Sequence, residues 1–308
     1  MSEKLNGRKL AKIVTANIAE KTRNFQEYFG RKPQLALVVV GNNKASEVYV
    51  GNKEKACERV GIISTINHLP DSTTEIELLT LIKSLNHDEK VDGILVQLPL
   101  PKHINSDHII EAIDILKDVD GFHPHNIGQL WTGKYSIAPC TPSGIIQLLA
   151  YYDIDVKSMN CVIVGRSNIV GKPMAALLLE RNATVTLAHS KTRNLAALCK
   201  SADLLVAAIG KPAFITEEFL RDHAILIDVG INHVNRNDAP SEWLANGSPL
   251  RKSFVEKGYR LIGDIDPFAA MRKSSYYTPV PGGVGKMTVA VLLHNTITLA
   301  TKRQQSLS

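Results

Sequence analysis

Six runs of consecutive apolar residues most constrain the fold: QLALVVVG (34–41), VDGILVQLPLP (91–101), NCVIVG (160–165), ATVTLAH (183–189), ADLLVAA (202–208) and AILIDVG (224–230). Rich in β-branched residues and, but for the alternating threonines of ATVTLAH, lacking a polar/apolar alternation, such runs suit strands buried on both faces. Only helices covering a mostly parallel sheet provide that burial. A shorter strand is expected around residues 62–67, giving the first half the order β-α-β-α-β of an open α/β sheet. The last four runs, separated by helical segments, predict a second, doubly wound sheet. A chain of 308 residues is too long for one core, so two domains follow.

Between the runs, residues 5–29 predict a long amphipathic helix with Leu10, Ile13, Ala16, Ile18, Phe25 and Phe29 among its apolar positions. Further helices are expected at 74–86, capped by Ser72 or Thr73, at 106–117, after CTPSG (140–144), and at 287–302. Residues 233–258 are polar and predict an irregular excursion before a short strand, YRLIGD. No apolar run approaches 18 residues and no signal-peptide pattern opens the chain, which predicts a cytoplasmic protein with no membrane partner. The net charge of +6 is scattered, without a basic stripe interleaved with aromatics. Attraction of small anionic ligands accounts for it better than nucleic acid does. Cys57, Cys140, Cys161 and Cys199 lack metal-ligand spacing, and a reducing compartment argues against disulfides. Three are expected in the core; Cys140, in a Pro/Thr-rich segment, is left open.

The stretch Ser46–Gly61 puts Tyr49, Lys53, Ala56, Cys57 and Val60 on one helical face, with Asn52, Lys55 and Arg59 opposite and Ser46 as a plausible N-cap. A lysine in an inward-facing stripe has its charged form disfavoured and becomes able to exchange protons, with Tyr49 in reach to orient it. The alternative is an amine that snorkels to the surface.

Other stretches carry chemistry. CVIVGRSNIVGKP (161–173) runs strand, glycine turn, helix: Gly165 permits the turn, and the helix amides can receive phosphate oxygens. At the end of the next strand, His189-Ser190-Lys191 stands where an NAD site usually has an acid, and Arg166 sits in the turn; a 2′-phosphate, hence NADP, is favoured. Asp120, in DVDGF, is either a turn carboxylate or a partner for heterocycle N–H groups. Gln97 is an amide in an otherwise apolar strand and needs partners. TPVPGGVGKMT (278–288) combines stiff prolines with glycines that let backbone approach a ligand.

Together these segments resemble the bifunctional methylenetetrahydrofolate dehydrogenase/methenyltetrahydrofolate cyclohydrolase family. The likeness rests on Ser46-x-x-Tyr49-x-x-x-Lys53, DGILVQLPLP, KDVDGFHP, the C-T-P run at 140–142, IVGRSNIVGKP, HSKT, DVGIN and TPVPGGVG, in family order across nearly the whole chain. The resemblance implies NADP-dependent oxidation of 5,10-methylenetetrahydrofolate to the methenyl cation, then hydrolysis to 10-formyltetrahydrofolate. It implies catalytic or substrate roles for Lys53, Tyr49, Gln97 and Asp120, with Val96, Leu98, Pro281, Gly282 and Gly283 lining the folate site. It also implies NADP contacts at Gly165, Arg166, Ser167, Ser190, Ile231 and Thr141. No metal is implied, and family members are homodimers.

The fold expected is thus α/β with two domains and a cleft between them. Residues 1–139 with helix 287–308 would form the folate-binding catalytic domain, and 140–286 a Rossmann-like NADP domain. Two departures stand out: Lys286 replaces the proline usual after GGVG, and the 233–258 excursion is long. The rivals are a dehydrogenase without cyclohydrolase activity and, from another class, a basic nucleic-acid-binding protein.

Overall fold

The computed structural model describes residues 2–42 and 44–307; among side chains, those of 44–48 and 307 lie outside the description. The chain divides into two compact units, Lys9–Gly144 with Thr288–Ser308, and Met1–Arg8 with Ile145–Met287.

The first, the lysine-helix unit, is built on a three-stranded parallel sheet in the order Ile63–Leu69, Gln34–Val40, Gly93–Val96. The central strand is buried on both sides. Leu35, Leu37 and Val39 join a core with the helices Gly7–Phe29, Lys44–Val60 and Val284–Leu307, while Ala36, Val38 and Val40 face Leu78, Ile82 and Ile109. Each such aliphatic side chain contributes about 1.5–3 kcal/mol by leaving water. The N-terminal helix buries Leu10, Ile18 and Phe25, but Ile13 and Ala16 are exposed, because its inward stripe is narrower than the apolar pattern suggested. The lysine helix begins at Lys44, so Ser46 is inside it rather than at its cap. The helix Glu75–His87 is capped by Thr74, not Ser72 or Thr73: Thr74 and Glu77 exchange bonds in a capping box, while the Thr73 hydroxyl donates to the Pro70 carbonyl. The helix expected at 106–117 stops at Glu111. Beyond it, the almost fully buried Lys117 donates to the carbonyls of Leu85, Asn86 and Asp88 at 2.7–2.8 Å, closing the end of the Glu75–His87 helix.

The second, the six-stranded unit, is built on a sheet that is parallel throughout, in the order Glu3–Lys4, Ser274–Tyr277, Ala224–Asp228, Leu204–Ala207, Asn160–Val164, Thr184–Ala188. The chain reverses its direction of travel across the sheet at Asn160–Val164, so the carboxyl end of that strand is the topological switch point. The 233–258 stretch is not irregular. Asn232–Asn235 and Tyr259–Ile262 form an antiparallel ribbon, and short helices between them pack Trp243, Leu250 and Phe254 with Val234 and Ile262. Its charged residues face outward, which hid this small core from a reading of overall polarity.

All four cysteines are free and buried. Burial pushes the Cys57 and Cys161 thiols up to about 12 and Cys199 to about 11. Cys140 starts the helix Cys140–Tyr151, its thiol donating to the Val119 carbonyl. No helix among the described residues is long and apolar enough to cross a membrane.

Candidate active site

In the lysine-helix unit the inward stripe holds: Ala56, Cys57 and Val60 are buried, Asn52, Lys55 and Arg59 exposed, and Lys53 lies between these extremes. Its Nζ donates to Gln97 Oε1 at 2.9 Å. Gln97 is not within the strand, which ends at Val96; it is the first residue beyond the strand's carboxyl end. Its Nε2 donates to the Leu98 carbonyl at 2.7 Å, and this fixes the amide so that its oxygen faces the lysine. Val96 is buried, Leu98 half-buried, and the Leu98–Pro99 bond is cis. Tyr49 is 40% exposed and, among the described residues, makes no hydrogen bond to Lys53; the amine is oriented by the Gln97 side chain instead. Partial burial raises the phenol's pKa.

The two carboxylates of DVDGF divide the work. Asp118 is buried and accepts from the amides of Gly121 and His123 and from Asn126 Nδ2, which shapes the turn. Asp120 lies close enough to Lys53 to feel its charge. Desolvation pushes its carboxyl up to about 6; Lys53 pulls it down and Asp118 pushes it up. Behind it, Asn295 of the terminal helix donates to the carbonyls of Val119 at 2.9 Å and Ala138 at 3.1 Å, pinning the backbone on which Asp120 rides. Thr141, from the same unit, shares a hydroxyl hydrogen bond with Thr288.

In the six-stranded unit Gly165 follows the switch-point strand with φ +132°, and a Cβ there would stand 2.2 Å from the Ala208 carbonyl oxygen. The Ser167 hydroxyl accepts from the amides of Val170 and Gly171, holding the start of the helix Gly171–Glu180. Arg166 is exposed and forms no ion pair among the described residues. Gly165 N–H donates to the carbonyl of Ala188, so the turn lies next to His189-Ser190-Lys191, which is itself held by bonds between His189, Lys191 and Thr192. Ser190 and Lys191 are exposed. Ile231, 42% exposed, abuts Gly285 at the start of the terminal helix. In the loop before it, Gly282 has φ +119° and its carbonyl accepts from Arg8 N–H, while Gly283 N–H donates to Pro279 at 2.7 Å. Lys286, in the first turn of the terminal helix, is exposed.

Residues 5–120 match the model of the tetrahydrofolate dehydrogenase/cyclohydrolase catalytic domain, and residues 139–304 that of the family's NAD(P)-binding domain. The chain belongs to the tetrahydrofolate dehydrogenase/cyclohydrolase family. It is 48% identical to the bifunctional protein FolD of Campylobacter curvus, over 98% of this chain and 97% of that protein. The FolD protein of Streptococcus uberis is 46% identical, over 99% and 100%. Among solved structures, the bifunctional FolD methylenetetrahydrofolate dehydrogenase/cyclohydrolase of Campylobacter jejuni superimposes with a TM-score of 0.88 at 43% identity, covering 98% of this chain and 100% of that one. FolD of Trypanosoma brucei, solved with NADP cofactor and an inhibitor, gives 0.89 at 33% identity, covering 99% of each chain.

The glycine turn fits the cofactor such a domain takes. Gly171 packs so closely on the turn that a Cβ would lie 2.0 Å from the Gly165 carbonyl oxygen, so only glycine lets the helix start directly against the turn. Three supporting residues escaped the sequence reading. Asn295 is one; its signal was a lone amide in the apolar stretch VLLHNTITLA. Asp264, fully buried, accepts from the amides of Ile209, Gly210 and Lys211, and so shapes the loop after Leu204–Ala207. Thr278 accepts from Asp228 N–H at 2.7 Å. Neither of the last two had a local sequence signal.

Proposed function

We propose that the chain oxidises 5,10-methylenetetrahydrofolate with NADP+ and hydrolyses the resulting methenyl cation to 10-formyltetrahydrofolate. The observation that carries this reading is the half-buried Lys53 amine, bonded to Gln97 at 2.9 Å with the Asp120 carboxylate beside it, in a chain of this family. NADP+, when bound, supplies the hydride acceptor. Arg166, with Ser190, receives its 2′-phosphate, and Gly165, Ser167, Ile231 and Thr141 contribute the rest of its surroundings. Asp120 accepts N–H bonds from the pterin, Tyr49 stacks on it, and Val96, Leu98, Pro281, Gly282 and Gly283 line the folate.

Lys53 is the proton carrier of the hydrolytic step. One N–H is committed to Gln97, and in its unprotonated form the amine offers its lone pair to water. It takes a proton as water adds to the methenyl carbon, giving a neutral carbinolamine. Breaking the bond from that carbon to N5 then requires removal of the carbinol O–H proton and protonation of N5, which the same amine relays; one proton per turnover leaves to solvent. Such positioned transfer contributes about 10²–10⁴-fold in rate. The protein acts as a cytoplasmic homodimer, a state that light scattering of the purified chain checks.

The deciding assay follows NADPH and the methenyl species at separate wavelengths, with NADP+ and NAD+ compared. The methenyl intermediate is expected to decay faster than in buffer alone. If it accumulates and decays only at the buffer rate, the chain is a dehydrogenase without cyclohydrolase activity.

A further inference from the structure

A cavity of about 280 Å³ lies within the six-stranded unit, and it contains none of the residues assigned above to the nucleotide. Its walls come from the 233–258 excursion and the ribbon that closes it (Leu250, Arg260, Ile262), from Ile265 and Met271, and from the N-terminal strand residue Lys4. The two basic groups are unusual for so small a space. Arg260 is half-buried, its Nε is buried without a hydrogen-bond partner, and it forms no ion pair among the described residues. Desolvation alone acts on it, lowering its pKa, with no carboxylate to restore it. Lys4, on the cavity wall, is exposed and likewise has no ionic partner among the described residues. An arginine that gives up hydration without receiving an acceptor is costly, unless an oxyanion completes it.

The cavity also holds Asp228, which would oppose an anion if its oxygens were free. They are not: Oδ1 accepts from the amides of Gly230 and Asp264, and Oδ2 from that of Ile265. Gly263 makes this possible, since a Cβ there would stand 1.8 Å from Oδ2. The remaining lining is mixed, with the aliphatic side chains of Leu226, Leu250, Ile262 and Ile265 beside Met271, Tyr277 and Thr278.

We propose that this cavity is a binding site for a small organic oxyanion, a phosphate ester or carboxylate whose charged group bridges Arg260 and Lys4 and whose body rests on Leu250, Ile262, Ile265 and Met271. Val280 and Pro281 of the glycine-rich loop line the same cavity, so an occupant touches the loop assigned above to the folate. The excursion, polar outside and packed inside, contributes Pro249 and Leu250 to the wall.

Calorimetric titration of the full-length chain with phenyl phosphate and with benzoate tests this, and binding by one or both decides which oxyanion the site takes. Arg260→Gln is expected to weaken binding about tenfold or more, the loss of a charge-assisted bidentate bond. Arg260→Lys should fall between, and exposed Lys4→Gln, which cannot disturb the core, should weaken it about threefold. Arg166→Ala should leave it unchanged, which separates this site from the nucleotide turn without reference to turnover. Four results overturn the proposal: no heat from either probe at millimolar concentration; equal binding of neutral benzyl alcohol; binding lost in Arg166→Ala; or Arg260→Gln altering the sedimentation coefficient while leaving binding intact, which would make the cavity a seat for a second copy of the chain.

Discussion

The two units solve the problem of holding a ligand in opposite ways. In the lysine-helix unit the candidate site is made of side chains whose charges are handled inside the protein: Lys53 on Gln97, Asp120 partly desolvated beside it, and Asp118 spent on the turn. In the six-stranded unit the candidate site is a glycine turn carrying an exposed arginine, and the buried carboxylates Asp228 and Asp264 bond to amides rather than to cations. The contrast teaches where a mutation should act. A side-chain site loses chemistry when one group changes, whereas a binding turn loses affinity and leaves the reaction intact.

The largest effect that could break this contrast is at Lys53. Lys53→Met should slow hydrolysis of the methenyl species by about 10²–10⁴-fold while leaving NADP+ affinity unchanged. Unaltered hydrolysis would remove the amine from the mechanism.

Next is Arg166→Ala, expected to raise the KM for NADP+ by about 10–100-fold with kcat little changed and NAD+ affected far less. An equal loss for both nucleotides would deny the arginine its 2′-phosphate.

The third prediction is a pH profile. Asp120 must be ionised to accept N–H bonds, and burial lifts it to about 6, so kcat/KM should fall roughly tenfold per pH unit below 6 and be flat above. Asp120→Asn should abolish that inflection; its survival would assign it elsewhere. For stability the sign is reversed: the folded carboxyl holds its proton more tightly than the unfolded one, so the fold pays for this charge above pH 6, and the penalty is relieved as pH falls towards 4.

The smallest effect tests whether the side-chain site depends on its backing. Asn295→Ala leaves the Val119 and Ala138 carbonyls short of a donor, and should cost about 1–3 kcal/mol of stability in a urea titration with a modest rise in folate KM. Loss of stability with unchanged KM would make Asn295 purely structural.

By itself the sequence determined the parallel sheets, because runs such as LALVVV and CVIV have no polar face and can only be covered on both sides. It also determined the glycine turn and the inward stripe of the lysine helix, both consequences of local spacing. Tertiary structure alone decided which groups meet. Gln97 reaches Lys53 because the strand stops at Val96, Thr74 takes the cap from its neighbours, Tyr49 leaves the amine to Gln97, and the polar excursion closes over Trp243. Each of these depends on pairing and packing between residues distant in the chain, and periodicity, which compares only near neighbours, carries no information about them.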